Sequence, residues 1–100
     1  MSTGIGNGIA IPHGKMKTGD RLLASGGVSP QGIDFDSVDG QRASLFFLLV
    51  SPEASHGPHV RALANISRLL KDDAVRTSLR LAPDSATFLQ RLTEAEDRLL

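Results

Sequence analysis

One stretch limits the choice of fold more than any other: Ala43-Ser44-Leu45-Phe46-Phe47-Leu48-Leu49-Val50. It is apolar without strict alternation, suits a strand better than a helix in length, and is far too short to span a bilayer. A strand buried on both faces has this pattern, so it is assigned as the central strand, ended by Ser51-Pro52. Ile9-Ala10-Ile11 reads as a second buried strand. Pro12 fixes φ and lacks an N–H, so that strand stops or lies at an edge there, with His13 projecting from its end. Lys15 to Asp20 is polar and turn-like. Arg21 to Ser29 holds Leu22, Leu23, Ala24 and Val28 around Gly26-Gly27, which predicts a strand with a bulge or a close backbone approach. Ser29-Pro30-Gln31-Gly32 is a turn signal. Ile33 and Phe35 alternate with Asp34 and Asp36 as a short half-buried strand or extended segment, and Asp39-Gly40 marks a hairpin turn.

The second half carries helical periodicity. Gly57-Pro58 opens a helix in which Val60, Leu63, Ile66 and Leu70 recur at three- and four-residue spacing. Asp72 or Asp73 caps a shorter helix carrying Val75 and Leu79, which Pro83 ends. Asp84 or Ser85 caps a last helix with Phe88, Leu92, Ala95 and Leu99 on one stripe. Strands first and helices after predict an α/β fold, a mixed β-sheet flanked by helices, in one domain over residues 1–100.

Composition removes several classes of function. Eleven basic side chains balance eleven acidic ones, so no overall field favours nucleic acid or an anionic membrane. Trp and Tyr are absent, which argues against base-stacking platforms. With no cysteine there are no disulfides and no thiolate metal sites, as suits a cytosolic chain.

Chemistry concentrates in Gly4-Ile5-Gly6-Asn7-Gly8-Ile9-Ala10-Ile11-Pro12-His13-Gly14. Its glycines permit a loop whose amides turn toward one point, as an anion nest requires. A Rossmann fingerprint needs a strand before it, and a Walker A loop needs different glycine spacing and Ser or Thr after the lysine. Neither fits. Taken alone, His13 has the bland reading of a structural histidine. Asp34, Asp36 and Asp39 read as solvated loop carboxylates.

The run Ile5-Gly6-Asn7-Gly8-Ile9-Ala10-Ile11-Pro12-His13-Gly14 resembles the active-site signature of the type-2 enzyme IIA domains of the bacterial phosphoenolpyruvate-dependent sugar phosphotransferase system. That class covers fructose, mannitol and nitrogen-regulatory members. The likeness continues through Gly32-Ile33-Asp34-Phe35, the apolar run ending at Pro52, and the region of His59. It implies a cytoplasmic phosphocarrier that accepts a phosphoryl group on His13 from the phosphocarrier HPr or its paralogue. The group would pass to a IIB domain or serve as a regulatory switch. The resemblance also implies that phosphorus sits on Nε2 with Nδ1 held by a hydrogen bond, and that His59 is a second active-site histidine. Gly6, Asn7 and Gly8 are the expected phosphate-binding residues, and neither metal nor other cofactor is called for. Family domains carry an N-terminal portion before the glycine loop and an arginine upstream of it; here Met1-Ser2-Thr3 leads directly into the motif. The chain is therefore expected to lack those elements, leaving a sheet edge that favours self-association. Two other readings compete: a non-catalytic binding module of the nitrogen-regulatory branch, and a small metal-binding protein using Glu53, His56 and His59. Lys15 and Arg61 could add positive potential.

Overall fold

The computed structural model describes residues 4–17, 19–54 and 56–100, and of His56 the backbone only. The expectations about Met1-Ser2-Thr3 and Thr18 lie outside the described residues. Strands come first: β1 Gly4–Gly6, β2 Ile9–Ala10, β3 His13–Met16, β4 Leu23–Ile33 and β5 Ala43–Pro52. The helices α1 His56–Leu69, α2 Asp73–Arg80 and α3 Ser85–Leu99 follow. Contacts group the chain into two units, Met1–His59 and Val60–Leu100. Among the described residues no helix is long and apolar enough to cross a membrane.

In the first unit one mixed sheet is built on β5. β4 pairs with it antiparallel, from Leu23 opposite Val50 to Ile33 opposite Ala43. β2 and β3 pair with it in parallel, and β1 pairs antiparallel with β2. Ile9 lies opposite Leu45, His13 opposite Leu49 and Met16 opposite Pro52, so the offset stays at 36 throughout. β2 and β3 are thus one line of chain interrupted at Ile11 and Pro12. Pro12 has no N–H to give, but its carbonyl accepts from the Leu49 N–H at 3.0 Å and carries the register across the gap.

Side chains of a strand alternate between faces. Along β5, Ala43, Leu45, Phe47, Leu49 and Ser51 are buried, whereas Phe46 and Val50 are half-buried and Leu48 is 46% exposed. The expectation of a strand buried on both faces is corrected: one face is packed and the other is partly open. Ile9 and Ile11, in step with Leu45 and Phe47, are buried on the packed side.

Two turn readings also change. β4 continues through Ser29-Pro30-Gln31-Gly32 instead of turning there. The Gly26-Gly27 pair stays in regular register, and the irregularity falls between Val28 and Ile33. An edge strand tolerates proline because its outward N–H has no ladder to serve. Gly32 takes a φ of +78°, and a Cβ there would meet the Cβ of Arg42, so the bulge requires glycine. Ile33 closes β4, while Phe35 lies beyond it and sets its ring 5.3 Å from that of Phe46. Asp39-Gly40 does turn the chain, within a wide connection from β4 to β5.

In the second unit the carboxylate of Asp72 accepts from the N–H groups of Ala74 and Val75 at the start of α2. Asp84 does the same for Thr87 at the start of α3. Arg91 donates to the Ser78 carbonyl at 2.7 Å and ties α3 to α2. Val75, Leu79, Phe88 and Ala95 are buried as their spacing predicts, while Leu99 of the α3 stripe and Val60 of the α1 stripe are exposed.

The turn joining β1 to β2 has positive φ at Gly6, Asn7 and Gly8. Asp39 holds it, accepting from the Asn7 N–H at 3.0 Å while also accepting from the Gln41 N–H at 3.1 Å. The Gln41 bond first, then the Asn7 bond, keep the Asp39 carboxyl below its ordinary value of 3.8. A lowered folded value means that the stabilisation is complete above the unfolded value and is lost as pH falls through the folded one. Denaturant titrations from pH 5 down to pH 2 will therefore show the unmodified chain losing its advantage over Asp39→Ala. Parallel stability profiles for the two proteins would refute the link.

Candidate functional site

His13 opens β3, on the strand position opposite Leu49, and its side chain is exposed. Strand parity puts it on the packed side of the sheet with Ile9 and Ile11. Its Nδ1 lies 2.9 Å from the carbonyl oxygen of Ile11. A carbonyl only accepts, so Nδ1 carries the proton and the Nε2 lone pair is the ring's nucleophile. Pro12 makes this short loop back through its fixed φ and its restriction of the residue before it. No Cβ would find a neighbour within 4 Å at Gly14, so the backbone beside the histidine is open.

His59 sits in the first turn of α1 and is 6% exposed. Its Nδ1 is 2.8 Å from the hydroxyl of Ser51, which is wholly buried. The two imidazoles stand edge to face, with centroids 5.5 Å apart and planes at 66°. The pair anticipated from the sequence is thus brought together, 46 positions apart in the chain, by β3 alongside β5 and the short connection into α1. Amides of a helix's first turn have no partner within the helix and favour anions. The arrangement suits a neutral imidazole taking up an electrophile at Nε2, with a second imidazole at its edge.

The glycine loop is placed elsewhere. Gly8 accepts from the N–H groups of Ser44 and Leu45, at the opposite end of β5 from Leu49. In register with β5, Ile9 and His13 are four strand positions apart, about 13 Å; Gly6 is paired with Ile9, and Asn7 and Gly8 form the turn beyond it. The amide of Asn7 is moreover given to Asp39. These residues turn the chain into β2 toward the far end of the strand line from His13, so this placement lends no support to the phosphate cradle expected of Gly6, Asn7 and Gly8. Asp39, read as a solvated loop carboxylate, is the loop's clasp.

Lys15 is exposed, two positions beyond His13 on the same side of the strand. Arg61 is exposed in the second unit. His56 lies in α1, its side chain outside the described residues, and Glu53 is exposed in the preceding turn. Among the described residues no three metal-ligating side chains cluster. Ser51 lies just past the apolar run that ends at Val50 and carries no local signal of its own. What marks it is parity: it continues the odd-numbered series 43, 45, 47, 49 onto the packed face.

The family model for the phosphoenolpyruvate-dependent sugar phosphotransferase system, EIIA 2, matches residues 1–95. The chain belongs to this family. A nitrogen regulatory protein of Bradyrhizobium diazoefficiens is 40% identical over 84 residues, covering 84% of this chain and 55% of that protein. The fructose-specific EIIABC component of Bacillus subtilis is 41% identical over 78 residues, covering 78% of this chain and 12% of that protein. The crystal structure of nitrogen regulatory protein IIA-Ntr from Neisseria meningitidis matches with a TM-score of 0.79 at 31% identity, over 91% of this chain and 61% of that one. This EIIA chain therefore has the IIA-Ntr fold, a mixed sheet followed by three helices, and spans about half to three fifths of the length of those nitrogen regulatory proteins.

The tautomer of His13 in this EIIA chain is directly measurable. Nitrogen-15 spectra of the neutral side chain will show a protonated Nδ1 and an unprotonated Nε2. A predominant Nε2–H form would contradict the bond to Ile11.

Proposed function

We propose that this EIIA chain is a phosphocarrier, accepting a phosphoryl group on Nε2 of His13 from a phosphohistidine donor of the HPr type. The observation that carries the reading is the Nδ1–H bond from His13 to the Ile11 carbonyl, which leaves an Nε2 lone pair on an exposed ring.

The chemistry balances without a base, metal or nucleotide. The Nε2 lone pair forms the new N–P bond as the donor's N–P bond breaks, and that electron pair returns to the donor's ring nitrogen. Nδ1 keeps its proton, and the Ile11 carbonyl stabilises the positive charge that the ring acquires. Transfer of this kind spreads charge over the equatorial oxygens, so the protein's task is to position and to neutralise. His59 is the group beside His13 suited to donate to those oxygens, aided by the first-turn amides of α1. The acceptor of the next step would be a IIB domain.

A second reading keeps the same modification and changes its use. Two of the relatives above are nitrogen regulatory proteins. On that reading phosphorylation at His13 switches binding to a target protein and need not lead to onward transfer.

Incubation with phosphorylated HPr or its nitrogen-branch paralogue will put acid-labile label on the chain, and His13→Ala will abolish it. Label persisting in that variant would overturn the assignment. His59→Ala will retain the acceptor but slow transfer about a hundredfold, the usual worth of one well-aimed transition-state donor. An unaltered rate would leave His59 a packing residue.

A further inference from the structure

The two histidines differ in what holds their inner nitrogens. His13 gives Nδ1–H to a carbonyl, an acceptor that cannot become a donor, so its tautomer is locked. His59 has Nδ1 against the Ser51 hydroxyl, which can accept from Nδ1–H or donate to an unprotonated Nδ1. We propose that Ser51 is a positioning residue that orients His59 and lets it exchange tautomers without breaking a buried hydrogen bond.

The strand itself argues for this. Ala43, Leu45, Phe47 and Leu49 fill the packed side of β5 with apolar atoms, and Ser51 continues that series with none of its surface exposed. A small apolar side chain would fill the place equally well. A hydroxyl taken out of water is costly unless it is bonded, and here its bond is to an imidazole that is also buried. A partner that fixes one ring nitrogen sets both the orientation of the ring and the atom it presents.

The inference rests on the phosphocarrier reading and deepens it. To donate to a phosphoryl oxygen on His13, the neutral His59 ring must carry its proton on Nε2, and Nδ1 must then accept. Ser51 satisfies that form by turning its O–H toward Nδ1. When the group has left, the same hydroxyl accepts from Nδ1–H, or from the doubly protonated ring. A carbonyl at that place would oppose the neutral donor form, and an alkyl group would remove the partner that Nδ1 has in Ser51.

The test uses the full chain, phospho-HPr as donor, and nitrogen-15 spectra of both rings before and after phosphorylation. Ser51→Ala will slow transfer about tenfold, the effect of one hydrogen bond, with the KM for the donor little changed. It will also alter the tautomer ratio of His59 while leaving that of His13 as it was. Ser51→Thr, which restores a hydroxyl, will recover most of the rate, and thermal unfolding will establish that both variants fold. A Ser51→Ala rate equal to that of the unmodified chain, or unchanged His59 ring nitrogens, would overturn the proposal. If the unmodified chain takes no phosphate, the phosphocarrier reading falls, and the resting spectra of His59 in the Ser51→Ala chain decide the role of Ser51 separately.

Discussion

The parallel ladder that runs from Ile9 to Met16 beside β5 is the constraint on which the site depends. Its offset of 36 is the same on both sides of Pro12. A slip of one residue would move Ile9, Ile11 and His13 together onto the other side of the sheet. Burying Ile9 and Ile11 thus also fixes the side from which His13 projects. Apolar packing at one end of the strand sets the stereochemistry at the other, and Pro12 lets the last residue of that series leave the interior without losing step.

Much of this could be read from the residues. The apolar run of β5, the strand before Pro12 and the aspartate caps at Asp72 and Asp84 each rest on one local signal, and each formed. What escaped notice lacked such a signal. β1 and β3 are three and four residues long, rich in glycine and polar groups, and exist because a neighbouring strand completes their hydrogen bonds. β4 ignores the turn propensity of Ser29 to Gly32 because its pairing with β5 resumes at Ile33 across an irregularity. Tertiary pairing outweighs local preference there. At the candidate site, resemblance to the family pointed to His13 and His59, which the fold sets side by side, whereas Ser51 needed one more step of strand parity.

The glycine loop shows why nearness in sequence misleads in an extended chain. A motif of ten residues looks like one object, yet each strand residue carries the backbone about 3.3 Å onward. The turn at Gly6, Asn7 and Gly8 and the histidine at the motif's other end therefore lie at opposite ends of one strand line. The glycines are needed because the turn takes positive φ at three successive residues and packs against the segment that holds Asp39. In this placement they serve His13 through the register of the strand they begin.

The contrast between the two imidazoles follows from what each would have to do. A nucleophile that attacks through one nitrogen gains from having a single tautomer, since any population of the other form is idle. A neighbour that meets an empty site in one state and a dianion in the other gains from a partner that serves both. Backbone carbonyls are rigid, acceptor-only groups, and hydroxyls are rotors with both functions. The chain sets a carbonyl against the Nδ1 of His13 and a hydroxyl against the Nδ1 of His59. Both partners belong to the strand pair that sets the register, the carbonyl at Ile11 and the hydroxyl on β5. The sheet that positions the first ring thus also governs the proton of the second.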